Sequence, residues 1–367
     1  FSELSRNLKL NDIDLVSVGQ NHRRLIKEKY FNYTLRNMPK TNPIFFQSLK
    51  NLKFLLNSEN YLRKKLRFNG KVIFQHHHKC HLASAHFSSG FETSNGISID
   101  GIGDIESTYS AYINGGKFEK IFHKNYPHSL GLMYTSITQF LGFNPNSSEG
   151  SVMALASFGD EKMINKLTGK SYRETFEDIL FIKENELYRL NLSYFNFPFD
   201  RRGWVSEKFI KAFGRKRNSN DKITNHHKNI ASALQSAFER AYINIARTSY
   251  KYNKNPNLTL AGGCALNCVA NGKILEESNY KKIFIQPASN DAGVSIGAAY
   301  IPFMKKLGKK LSYINKERKF STYLGPSFNE KDIEKFLIKE KVKYQKIQKP
   351  YEKAAKLLKD KKVIGWF

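Results

Sequence analysis

Apolar positions along the chain change period repeatedly, and each change marks an element. Phe1 to Leu10 reads as the end of a helix, and Asp14 to Val18 as a short buried strand closed by Gly19. His22 to Pro43 is basic, aromatic and without a period. Pro43 to Phe68 predicts one helix, with Phe46, Leu49, Leu52, Leu55 and Leu56 on a stripe. Lys71 to Phe74 predicts a strand after the Asn69-Gly70 turn, and His77 to Phe87 a helix that breaks at Gly90. Three strands follow, Gly96 to Asp100, Ser107 to Asn114 and Phe118 to His123, with Gly115-Gly116 as a hairpin turn. The first turn of this meander carries Asp, Gly and hydroxyl residues, which offer N–H and O–H groups to an anion.

His128 to Phe143 predicts an apolar helix, and Asn146 to Gly159 a loop that runs into another. Residues 160–224 have a weaker pattern, with aromatics at Tyr194 to Phe199, and read as an insertion. Asn225 to Tyr250 predicts a long amphipathic helix with Ile230, Leu234, Ala237, Phe238, Ala241 and Ile245 on one face. Asn257 to Leu260, the turn Ala261-Gly262-Gly263-Cys264 and Ala265 to Glu277 predict strand, turn and helix. Ile283 to Gln286 is a further strand, and Ser289 to Gly293 opens a helix over Val294 to Phe303. A basic linker follows, then Tyr323 to Pro326, helices over Glu330 to Lys339 and Tyr351 to Lys359, and an apolar strand-like run from Val363 to Phe367. Strands alternating with helices in this way predict an α/β protein.

The 367 residues allow about two domains. A hydrophobic fraction of 40% supports a packed core and argues against wholesale disorder. The formal net charge of +28, from 60 Lys+Arg against 32 Asp+Glu, raises the question of a nucleic-acid or anionic partner. Lysine is scattered without a long block, so nucleic acid is not the favoured partner. The three cysteines, Cys80, Cys264 and Cys268, do not make a disulfide framework and fit a reducing cytoplasm. No apolar run approaches the roughly 20 residues of a membrane span.

The chemistry concentrates between Gln75 and Glu106. His76, His77 and His78 are consecutive and His81 follows. Histidines four apart share a helix face, so His77 and His81 can reach one cation. Asp100 ends an apolar strand and points a carboxylate into whatever cleft lies there. Two imidazoles and a carboxylate suit Fe, Zn or Mn with open positions. The competing reading is a helix start with chance histidines. Gly262 and Gly263, between strand and helix, let a backbone approach a ligand closely. Asp291 stands at a helix start, where capping alone would explain it.

In order along the chain stand HHHKCHLASAHF, SIDGIGDIESTYSAY, YPHSLGLMYTSITQFLGF, EGSVMALASFG, LAGGCALNCVANGKIL and IQPASNDAGVSIGAA. Together they resemble the NodU/CmcH-type carbamoyltransferases, from about Leu4 to Phe367. The resemblance implies an actin/sugar-kinase-type (ASKHA, Kae1-like) fold of duplicated ribonuclease-H-like domains over residues 1–306, with a linker and the start of a YrdC-like α/β domain over 307–367. It implies an O-carbamoyltransferase that moves a carbamoyl group from carbamoyl-adenylate, made from ATP and carbamoyl phosphate, to a hydroxyl of a small acceptor such as a sugar. It implies a divalent metal, iron in the family, on His77, His81, Asp100 and Asp291. The nucleotide would lie against Gly262, Gly263 and Asn267, near Gly131 and Glu149. The family pattern has Lys, Gly and Pro where this chain has Ser151, Ala154 and Ser157. The family's acceptor-activating His-Asp pair and its arginine-rich YrdC-like motif would lie on either side of this stretch. The expectation is therefore the middle of a longer enzyme, inactive by itself. The alternative is a Kae1-like nucleotide- and RNA-binding module in tRNA modification.

Overall fold

The structure is a computed structural model that describes residues 12–183, 186–200, 203–307, 321–322, 325 and 327–366. The expected helix end at Phe1 to Leu10 and most of the basic linker lie outside the described residues. The chain divides into two compact units, one comprising Leu10–Phe320 and the other including Ser321–Phe367.

In the first unit, strand β1 (Leu15–Val18) leads through a loop into the short helix α1 (His22–Leu25) and a wide-turn π-helix over Ile26–Leu35. This stretch was expected to be irregular. Its turns run to the fifth residue rather than the fourth, and the Thr34 hydroxyl bonds the Lys29 carbonyl five positions back at 2.8 Å. The helix expected from Pro43 to Phe68 is two helices, α2 (Asn42–Leu56) and α3 (Ser58–Leu66). They break at Asn57, whose side-chain amide donates to the Lys53 carbonyl at 3.0 Å, a local bond that competes with the helix ladder. Strand β2 (Lys71–Phe74) pairs parallel with β1, and α4 (His77–Ser89) follows, ending on Gly90 in the left-handed region.

Strands β3 (Thr93–Ile99), β4 (Glu106–Asn114) and β5 (Lys117–Asn125) form the expected antiparallel meander. Helices α5 (Leu130–Phe140) and α6 (Glu149–Ala156) come next. The insertion contributes α7 (Tyr172–Glu177), the small hairpin β6 (Leu180–Phe181) and β7 (Arg189–Leu190), and α8 (Glu207–Phe213). Helix α9 (Asn225–Tyr252) buries all six residues of its expected stripe. Strand β8 (Asn257–Ala261), α10 (Cys268–Glu277), β9 (Lys282–Ile285) and α11 (Asp291–Leu307) complete the unit. The main sheet has the order β5-β4-β3-β8-β9, with β8 and β9 parallel to β3. The result is an α/β fold with a mixed sheet, in which Asp100 and the turn after β8 emerge at neighbouring strand ends.

In the second unit, α12 (Glu330–Lys339) and α13 (Pro350–Lys359) are separate amphipathic helices with no buried residue. The strand expected at the end is not formed over the described residues Val363 to Trp366.

Helix α4 is buried on almost every side although it carries four histidines. Buried polar groups need partners. His78 is satisfied inside the fold: its Nε2 faces the Glu106 carbonyl at 2.8 Å and its Nδ1 the Ser98 hydroxyl at 2.7 Å. Burial, joined by the charges of His77 and His81, pushes the His78 pKa down to about 3, so it stays neutral. His86 pairs with the Ser94 hydroxyl at 2.8 Å. These two histidines are core residues.

Arg24 in α1 makes a two-pronged ion pair with Glu106 at the start of β4, one prong 3.0 Å long. Burial alone would raise the Glu106 pKa, but hydrogen bonds and charge from His76 and Arg24 hold it far below the carboxylate range. A depressed folded-state value stabilises the fold above the unfolded value, near pH 4.5, and that contribution fades as pH falls. Glu106→Gln should therefore cost about 2 kcal/mol at pH 7, since the partly exposed guanidinium loses its charged hydrogen bonds and keeps only Asp104, 3.8 Å away. The gap to wild type should narrow as pH falls below about 4.5. Urea unfolding at both pH values checks this, and a pH-independent gap would count against the ion pair as the source.

Candidate metal centre and adjoining cleft

Four side chains from three elements meet at one point. α4 supplies His77 and His81, the end of β3 supplies Asp100, and the first turn of α11 supplies Asp291. Their ligand atoms all lie within 4.8 Å of one another. The His77 and His81 Nε2 atoms are 3.1 Å apart. Asp100 Oδ2 is 2.9 Å from His81 Nε2 and 3.6 Å from His77 Nε2. Asp291 Oδ1 is 3.4 Å from His77 Nε2 and 3.5 Å from His81 Nε2. Ligands bonded at about 2.0–2.2 Å to one ion stand roughly 3.0–3.6 Å apart, so the donor set fits a transition metal. His76 caps α4 with its Nδ1 and lies 3.4 Å from Glu106, away from this point.

The surroundings support that fit. The His77 ring presents Nε2 to the centre because its Nδ1 bonds the Gly19 carbonyl at 3.0 Å. His81 is fully buried, and its Nδ1 has no hydrogen-bond partner among the described residues. Its other nitrogen, Nε2, is the one turned to the centre, 2.9 Å from Asp100 and 3.1 Å from His77. Without a cation, protons do the neutralising. Burial alone would lower the His77 pKa, but Asp100 and Asp291 raise it to about 10. Hydrogen bonds from His77 and His81 in turn lower Asp291 to about 2.

The centre opens on a cleft of about 610 Å³. Its wall collects the first residues of several helices: Gly131 in α5, Glu149 and Gly150 in α6, Asp291 in α11, and Gly263 at the head of a 3-10 turn over Gly263–Leu266. Helix starts expose unpaired N–H groups and favour anions. Leu132, Met153, Phe238 and Leu266 give the same cleft an apolar side. Glu149 is fixed by the Thr135 hydroxyl at 2.9 Å and the Asn146 N–H at 2.8 Å.

Of the nucleotide candidates, Gly131, Glu149, Gly263 and Asn267 line the cleft. Gly262 stands behind the wall: its φ of 87° makes the turn, and a Cβ there would lie 2.3 Å from the Ile99 carbonyl oxygen. Asn267 is held by reciprocal amide bonds with Gln235, at 2.9 and 3.0 Å, and caps α10. Reading the sequence missed Arg24, Asp104 and Glu106, which sit behind the histidines. Two acidic residues after a Gly-rich turn were visible, but nothing local announced their partner in α1.

A family model described as "Carbamoyltransferase N-terminus" matches residues 8–300. The chain belongs to the carbamoyltransferase N-terminal family. All four convergent ligands and the whole cleft wall of this carbamoyltransferase-family domain fall inside the match. Nodulation protein NolNO of Sinorhizobium fredii is 31% identical over 299 residues, covering 81% of this chain and 40% of that protein. Nodulation protein NolO of Bradyrhizobium diazoefficiens is 31% identical over 293 residues, covering 79% and 49%. An uncharacterized Synechocystis protein, sll1178, is 33% identical over 301 residues, covering 81% and 48%. The chain thus spans about half the length of the relatives it matches. Among solved structures, HypF of T. kodakarensis aligns over 70% of this chain and 40% of that one, with a TM-score of 0.36 and 13% identity. No helix among the described residues is long and apolar enough to cross a membrane.

Proposed function

We propose that this domain holds the transfer site of an O-carbamoyltransferase. It would take a carbamoyl-adenylate in the cleft and pass the carbamoyl group to a hydroxyl of a small acceptor. The observation that carries the reading is the shared wall. A two-histidine, two-aspartate cation site and the N–H-rich starts of helices face one cleft. An adenylate needs both a place for its phosphate and a group that accepts charge beside it. The starts of α5, α6 and α11 suit the phosphate, the apolar side suits the base, and Glu149 is a fixed acceptor for sugar hydroxyls. His77, His81, Asp100 and Asp291 would hold a divalent metal, iron on the family resemblance. When bound, it would supply Lewis-acid stabilisation of the charge that develops on the carbamoyl group and phosphate. In the transfer, the acceptor oxygen bonds the carbamoyl carbon as the carbon–oxygen bond to phosphate breaks. AMP leaves with the electron pair, and the hydroxyl proton passes to a general base. On this reading the mixed sheet is one ribonuclease-H-like half of an actin/sugar-kinase-type frame, with the domain ending near 306 and a second domain beginning beyond it.

The test is direct. The chain is loaded with Fe(II) and titrated calorimetrically with adenosine nucleotides. It is then given carbamoyl-adenylate labelled in the carbamoyl carbon, with a panel of sugar acceptors. One metal per chain and metal-dependent adenylate binding are expected, with label in an O-carbamate once the acceptor-activating His-Asp pair of the longer enzyme is supplied. A chain that binds neither metal nor adenylate would overturn the reading.

Gly263 gives a sharper prediction. A Cβ there would lie 3.0 Å from Asp100 Oδ1 and in the cleft wall. Gly263→Val should weaken adenine-nucleotide binding by more than about tenfold, since bulk replaces the close backbone approach. The melting temperature should move little. Unchanged nucleotide affinity by calorimetry would remove the turn from the binding site.

A further inference from the structure

Asp104 is completely buried, yet its carboxylate lies outside the four-ligand centre. Its Oδ2 accepts the backbone N–H of His77 at 3.3 Å, and its Oδ1 accepts the backbone N–H of Asn21 at 2.8 Å. Arg24 stands 3.8 Å from Oδ2. His77 is the first residue of α4, where N–H groups have no partner within the helix. The capping side chain of His76 is spent on the Lys79 N–H at 3.3 Å. The His77 N–H is therefore left to Asp104.

The same loop grips the His77 ring. Gly19, two residues before Asn21, takes the ring Nδ1 at 3.0 Å. His77 is thus held twice from one side, by its ring on Gly19 and by its main chain on Asp104, and Asp104 ties that loop to α4.

We propose that Asp104 is a positioning residue for the metal centre: by holding the His77 main chain and the Gly19–Asn21 loop together, it sets the place of the His77 imidazole. This rests on the metal reading above. Outer partners that orient a metal-bound histidine typically carry 10–100-fold of the metal affinity; Asp104 acts on the same residue through its main chain, beside the Gly19 carbonyl that holds the ring.

The experiment uses the full chain and Co(II), whose visible absorption reports ligand number and geometry. Wild type, Asp104→Asn and Glu106→Gln are titrated with Co(II), and their stability is measured by urea unfolding. Glu106→Gln breaks the neighbouring ion pair without touching the His77 N–H, so it controls for general destabilisation. Asp104→Asn, which can turn an N–H donor toward an N–H donor, should lower Co(II) affinity about 10–100-fold and alter the absorption band. Glu106→Gln should keep both. If Asp104→Asn does not fold, Asp104→Glu keeps the charge, moves the acceptor by one methylene, and should show the same loss in smaller measure. Wild-type affinity and spectrum in the Asp104 variant, or equal losses in both variants, would overturn the proposal. A wild-type chain that takes up no Co(II) would overturn the metal reading itself.

Discussion

If His77, His81, Asp100 and Asp291 hold a transition metal as proposed, Asp100→Asn should abolish its binding while leaving the chain folded. The two carboxylate oxygens of Asp100 have different tasks. Oδ1 accepts the Gly101 N–H at 2.7 Å, which fixes the side chain at the strand end. Oδ2 faces His81 and His77, 2.9 and 3.6 Å from their Nε2 atoms. An asparagine can keep the Gly101 bond only by placing its carbonyl at Oδ1. Its NH₂ group then points at the cation position, with two protons and no lone pair. The centre loses one of four ligands and one of two negative charges. The affinity loss should exceed the roughly 100-fold upper range for removing an outer partner. Asp291→Asn should cost less, because that side chain is 79% exposed and water can take its place. Chelator competition measures both, and thermal unfolding confirms that each variant is folded. Full-affinity uptake by Asp100→Asn would put the metal somewhere else.

How far the site was readable follows from where its parts come from. His77 and His81 are four positions apart on one helix, and a local period reveals such a pair. Asp291 is 210 positions beyond His81 (291 − 81), and at a helix start capping explains an aspartate equally well. Only the resemblance joined it to the histidines before the fold brought α11 against α4. Asp104 and Glu106 depended on a still longer reach. Their partners Asn21 and Arg24 sit beyond β1, and that loop reaches the histidines because β1 and β2 pair in parallel. The cleft wall was partly visible, since each helix start could be located but not the fact that several open on one space. In the fold, strong periodicity was enough for α9, every stripe residue of which is buried. It misled at Asn57, where one side-chain bond divides an otherwise continuous helix, and over Ile26–Leu35, where wide turns carry no period that a 3.6-residue template detects.

The same contact that joins Asp291 to the histidines sets the largest expected loss of stability, at Gly297. Helix α11 crosses α4 so closely that a Cβ on Gly297 would sit 1.8 Å from the Cys80 carbonyl oxygen and 2.6 Å from its carbon. Those are backbone atoms of a fully buried helix, so no side-chain rotation relieves the clash. Cys80, Val294 and Ala298 form the packed seam around it, with Ile301 against its edge. Alanine in place of glycine usually favours a helix by about 1 kcal/mol. Here that gain is opposed by overpacking, which typically costs 1–3 kcal/mol and more when neither backbone can yield. To restore ordinary contact the helices must separate by on the order of 1.5 Å. Asp291 begins one of them and His77 begins the other, 3.4 Å apart at their ligand atoms. A shift of that size moves Asp291 out of bonding range of any cation the histidines hold. Gly297→Ala should therefore lower the urea midpoint and weaken metal binding together, unlike Asp100→Asn, which should do only the second. Unchanged stability and metal affinity in Gly297→Ala would show that the seam between α4 and α11 does not assemble the centre.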